Sequence, residues 1–168
     1  MKSFSKAVLL GLITCLSLQP VQGQTAENTK HDSDLTTEFD QARHVFHRVY
    51  FEKASLLFED FLKKEPDHSL ALAYQAMINL MLYKSPDEIA AKVESLVKKD
   101  NPADLFAQAL IHFVKSDFKG CESALKKHLN HNPDDPYGLH VLGFTQIDDG
   151  RPEDGLETLL HLLEASVR

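Results

Sequence analysis

Four pairs of residues, the members of each pair twelve apart, recur along this chain at intervals of 36, 31 and 34 residues. They are Ala42 with Ala54, Ile78 with Ala90, Ala109 with Cys121, and Gly143 with Gly155. Seven of the eight positions are Ala, Gly or Cys, and in the first three cases a proline follows twelve residues later, at Pro66, Pro102 and Pro133. Recurrence with a period of about 20–50 residues means a stack of similar units, each too small to bury its own apolar face. The small residues have a reason as well: two helices approach closely only where a side chain is nearly absent.

The residues between these points have helical spacing, as in Phe39, Ala42, Phe46 and again in Ala54, Leu57, Phe58, Phe61. Helix starts are marked by Ser85-Pro86-Asp87-Glu88, by Asn101-Pro102-Ala103-Asp104 and by Asp135-Pro136, which put a capping side chain before a proline whose missing donor costs nothing there. Sustained alternation of apolar and polar residues is absent, so no strand is expected. The pattern predicts helices over 35–48, 51–64, 69–83, 86–99, 102–115, 118–131, 136–148 and 152–166, which makes four hairpins.

This arrangement resembles the tetratricopeptide repeat (TPR), whose helix pair carries a Leu-Gly step, then a small residue followed four positions later by a large one, then Pro. The fourth copy carries Leu142-Gly143, Gly150-Arg151 at the turn and Gly155 with Leu159; the third has Cys121, Leu125 and Pro133; the first has Ala54, Phe58 and Pro66. The second departs most, with Ile78 and Glu94 at positions where a small and a large apolar residue belong, and no copy has the leading Trp. The resemblance implies an all-α, right-handed superhelical solenoid over 35–168 that binds a protein or peptide in its concave groove. Carried over, the groove residues are Phe39, Arg43, Gln75, Asn79, Phe106, Leu110, His140 and Phe144, with Phe46, Leu82, Phe113 and Ile147 one turn later. TPR proteins that clamp a terminal carboxylate use several Lys, Arg and Asn in the groove, and here only Asn79 and Arg43 fit, so that specialised activity is not expected.

The first 23 residues read as an export signal: Lys2 and Lys6, an apolar run from Ala7 to Leu18, then Val21-Gln22-Gly23 before a cut. Twelve apolar-rich positions are too few to span a bilayer. Residues 24–34 hold one Ala as their sole apolar side chain and are expected to form a disordered leader. Removing residues 1–23 takes two lysines and no acid, bringing the net charge from −7 to about −9. With no long run of Lys and Arg either, nucleic acid is an unsuitable ligand. The expected place is the periplasm or the medium. The alternative is a lipid anchor on Cys15, since Leu12-Ile13-Thr14-Cys15 has the outline of a lipoprotein cleavage box, with Thr14 departing from it.

Chemistry finds little purchase. HExxH, GxSxG, Cys-x2-Cys and a glycine-rich phosphate loop are all missing from the sequence, so neither an enzyme nor a cofactor is expected. Cys121 falls at a packing position, which suits burial better than nucleophilic work. His44-x2-His47 and His128-x2-His131 each place two imidazoles on one helical face, which keeps a metal-binding envelope protein as an alternative, beside a non-catalytic subunit of an envelope enzyme complex. Leu156, Leu159, Leu160, Leu162 and Leu163 make the last helix apolar beyond the needs of one buried face, so this end is expected to meet a partner or a second copy.

Overall fold

The computed structural model describes residues 29–98 and 101–167, with side chains from 34 to 98 and from 101 to 165. The export segment and residues 24–28 of the expected leader lie outside the described residues. Eight α-helices follow one another: α1 Thr29–His47, α2 Phe51–Lys64, α3 Ser69–Met81, α4 Asp87–Leu96, α5 Leu105–Val114, α6 Phe118–His131, α7 Pro136–Asp148 and α8 Pro152–Val167. Consecutive helices pack in antiparallel hairpins, and the second helix of each hairpin packs on the first helix of the next, α2 on α3, α4 on α5 and α6 on α7. The first helices of hairpins two and three, α3 and α5, also meet directly. The described chain is thus an all-α stack of four helical hairpins, with no strand among the described residues.

The recurring small residues are where the helices cross. Ala42, Ala54, Ala109 and Cys121 are fully buried. At Gly155 a β-carbon would lie 2.6 Å from the carbonyl oxygen of Gly143, and at Gly143 it would lie 2.7 Å from Cγ of Leu159. In the second hairpin Ile78 is buried and the close approach falls to Ala90 alone, which is 2 % exposed.

A second repeat is visible in the backbone of the four hairpin turns. Val49, Tyr83, Ser116 and Gly150 all have φ between 58° and 85°. After each, an N–H reaches back five residues: Tyr50 to Val45, Lys84 to Asn79, Asp117 to His112 and Arg151 to Gln146. This is a left-handed helix cap that satisfies the last carbonyls, and glycine fits it best. Three turns use a residue that is strained there, by roughly 1–2 kcal/mol in the left-handed region. Ser116 is the exposed one of the two smaller residues at these turns. Ser116→Gly should therefore raise stability by about 0.5–1 kcal/mol and the thermal midpoint by about 1–4 °C, as read by differential scanning calorimetry.

Four boundaries depart most from expectation. α1 begins at Thr29, inside the segment expected to be a disordered leader. Once Leu35 and Phe39 anchor the helix on the core, each preceding residue adds a hydrogen bond at low cost. The expected helix 86–99 ends at Leu96, and the one expected from 102 starts as a 3₁₀ turn over Pro102–Asp104. There the Asp104 carboxylate accepts from the Lys98 N–H and from the Asn101 amide, which draws the chain into a tight loop. The expected helix 69–83 stops at Met81, because Tyr83 is the left-handed cap.

Other caps follow the sequence. Asn101 accepts from the Ala103 N–H, Asp117 from Gly120, and Asp135 from Tyr137 and Gly138. Asp135 also accepts from Nε2 of His128 at 2.8 Å, so one carboxylate caps α7 and holds α6 against it.

Candidate functional site

The eight residues expected to line a groove lie on α1, α3, α5 and α7, the first helices of the four hairpins. The structure brings them together more tightly than an open trough would. Leu110 is fully buried, and Gln75, Phe106 and Phe144 are each 7 % exposed or less. These side chains are packed into the stack and leave little surface for a ligand. Phe39, Arg43, Asn79 and His140 are partly exposed and form the rim. Asn79 donates to the Ser85 carbonyl and so serves the α3–α4 connection. Of the outer set, Phe46 and Phe113 are buried, while Leu82 and Ile147 are half-buried.

At the centre of this face sits Tyr74 on α3, wholly buried among rings. Phe58 stacks on it at 5.2 Å, and Phe39, Phe46, His47 and Phe106 meet it edge-on. Its hydroxyl lies 3.1 Å from Nε2 of His47. Burial pushes the Tyr74 phenol well above its ordinary range.

His47 in turn reaches across the concave face. Its Nδ1 lies 2.9 Å from Nδ1 of His140, 93 positions away in the chain. Its ring also packs against Tyr137, over which the Arg43 guanidinium lies 4.0 Å from the ring centre. Arg43 pairs with Asp40 at 2.7 Å, and its buried Nε has no hydrogen-bond partner. The first and fourth hairpins are therefore joined through Arg43, His47, Tyr137 and His140. The two imidazoles line an apolar cavity of about 40 Å³ together with Phe46, Met77, Phe113 and Phe144 among others.

The sequence pairs His47 with His44 as alternative metal ligands, whereas the fold sets it against His140 and Tyr74. His128 is occupied by Asp135 and stacked on Phe106, while His131 is exposed. Neither Tyr74 nor Tyr137 was expected at the site. One signal was readable: His47 follows Arg43 by four residues and so shares its helical face.

Cys121, on α6, is buried with its sulfur 3.3 Å from the Thr145 hydroxyl. Burial pushes the thiol up to about 12, which suits a packing role.

The last described helix, α8, carries Leu156, Leu160 and Leu163, about half exposed, at helical spacing along one face. Exposed Glu153, Asp154, Glu157 and Glu164 border them. No helix among the described residues is long and apolar enough to cross a membrane.

No family model matches this chain, and no curated protein matches it. Among solved structures it is similar to one described as "MamA RS-1 ArsTM double mutant", with 16% sequence identity and a TM-score of 0.39 over 82% of this chain and 86% of that one. A superposition at that level assigns no residue of this chain a role.

Proposed function

We propose that this is an exported, non-catalytic scaffold of the cell envelope that binds another protein, and that α8 is its principal contact. The observation that carries the reading is the uncovered leucine face Leu156–Leu160–Leu163. In the first three hairpins the second helix is covered by the next first helix, whereas α8 has no such cover among the described residues. An apolar stripe rimmed by charge is what a protein–protein contact uses. The acidic rim favours a partner helix whose apolar stripe is bordered by Lys or Arg. A second copy of this chain fits less well, because twofold pairing of α8 brings acid towards acid.

Export rests on the pattern of residues 2–23, and delivery to the periplasm or the medium, or a lipid anchor on Cys15, follows from where that segment is cut. The concave rim supports a second contact, since Arg43 and the Phe39 ring beneath its guanidinium are both partly exposed there.

The test compares the exported chain with Leu156→Glu, Leu160→Glu in affinity capture from envelope extracts. Both positions are about half exposed, so the variant should keep its helical circular dichroism. Loss of the captured protein from the variant alone is expected. Equal capture by both chains would remove α8 as the contact, and concentration-dependent light scattering abolished in the variant would identify the partner as a second copy. Charging Phe106 or Phe144 would test folding instead, because both are buried.

A further inference from the structure

We propose that Tyr74, His47 and His140 form a proton-operated latch that ties the first hairpin to the fourth, and that a second proton on the imidazole pair releases it and opens the cavity the pair lines. The inference requires no partner and stands apart from the reading of α8.

The geometry sets how many protons the contact can hold. Tyr74, His47 and His140 form one chain of short contacts, 3.1 Å and then 2.9 Å. With both imidazoles neutral, one Nδ1 carries a proton and the other accepts it, and the Tyr74 hydroxyl completes the chain at Nε2 of His47. One added proton leaves the N–H···N bond intact. Two put N–H against N–H and place two positive charges at the same spot.

The surroundings oppose that charge. On α1, Arg43 and His44 add positive potential at His47, while the Asp40 carboxylate pairs with Arg43 and acts on Tyr74. From α3 comes only the neutral Tyr74; from α7 come Tyr137 and His140, with Asp135 at the helix start acting on Tyr74. Asp40 and Asp135 are already taken by Arg43 and His128. Burial first, then His140, Arg43 and His44, hold His47 well below the ordinary imidazole range, and burial brings His140 down to about 4. Once released, a histidine takes up its proton near its ordinary value of about 6.5. Lowering the pH from about 6.5 towards about 4 therefore favours the released state, and raising it restores the latch.

Release need not unfold the chain. α1 stays packed on α2 and α3, and α7 on α6 and α8. What changes is access to Phe46, Met77, Phe113 and Phe144 around the cavity.

The experiment is hydrogen exchange by mass spectrometry on the whole exported chain, corrected for intrinsic rates, with binding of an apolar fluorescent dye, in steps from about pH 7.5 to about pH 4. The expected result is loss of protection around 43–47 and 137–144 together with a rise in dye binding, while α3 to α6 stay protected. In His140→Gln the amide still meets His47 but adds no charge, so the step should move at least tenfold higher in proton concentration or vanish. An unmoved midpoint in that variant, or loss of protection in all helices together in the unmodified chain, would overturn the latch. Should the variant fail to fold, ring titrations of the unmodified chain by NMR decide: two imidazoles titrating below the ordinary value, in step with exchange, support it. Titration of either His47 or His140 at the ordinary value with the fold intact refutes it.

Discussion

Replacing Tyr74 by alanine should lower the unfolding free energy by about 3–5 kcal/mol, the range for removing a large buried ring. The residue has no exposed surface, and its ring contacts reach α1 through Phe39 and Phe46, α2 through Phe58 and α5 through Phe106. Three hairpins therefore lose a shared neighbour at once, and the stack around them cannot close the void by moving a single side chain. Against a total of about 5–15 kcal/mol for a domain, such a loss leaves a chain close to its folding threshold. Tyr74→Phe separates packing from hydrogen bonding. It keeps every ring contact but leaves Nε2 of His47 without its partner, at a cost of about 1–3 kcal/mol. Urea unfolding followed by circular dichroism checks both: the midpoint should fall in the order Tyr74, Phe, Ala at an unchanged slope. An alanine variant within 1 kcal/mol (about 2–4 °C) of the parent would show that the aromatic cluster is not the centre of the fold.

The second large effect is expected at Gly155. Alanine is the better helix former by about 1 kcal/mol, so at an open helical site the change would stabilise. Here the added β-carbon would sit 2.6 Å from the backbone oxygen of Gly143 and equally close to Cγ1 of Ile147. Backbone cannot turn aside as a side chain can, so α7 and α8 must separate, at a typical overpacking cost of about 1–3 kcal/mol that outweighs the helical gain. Gly143→Ala should be milder, because its nearest obstacle is the Leu159 side chain at 2.7 Å and the backbone oxygen of Gly155 stands farther away at 3.2 Å. Thermal unfolding should rank the parent above Gly143→Ala and Gly143→Ala above Gly155→Ala. A Gly155→Ala chain as stable as the parent would show that the two helices do not cross there.

Much of the fold was legible because close helix crossings constrain residue size. Ala42, Ala54, Ala109, Cys121, Gly143 and Gly155 all mark contacts where any larger group meets backbone or core. The hairpin turns were less legible. Gly150 announces its left-handed backbone, but Val49, Tyr83 and Ser116 adopt the same conformation without the residue that favours it. There the stacking of the flanking helices overrides local preference.

The candidate site divides along the same line. Helical spacing puts Phe39, Arg43, Gln75, Asn79, Phe106, Leu110, His140 and Phe144 on the first helices of successive hairpins, and that much needs no coordinates. Whether those residues face solvent or one another depends on how sharply the stack turns, a sum of small rotations between hairpins that no single residue encodes.

The repeat period, the helices and the apolar surplus of α8 were determined by the sequence alone, because each is a local matter of spacing and side-chain size. The meeting of His47 with His140, the burial of Leu110 and the filling of the concave face by Tyr74 were decided only in three dimensions. Residues 93 positions apart come into contact through the accumulated curvature of four hairpins, and curvature is a property of the assembled stack.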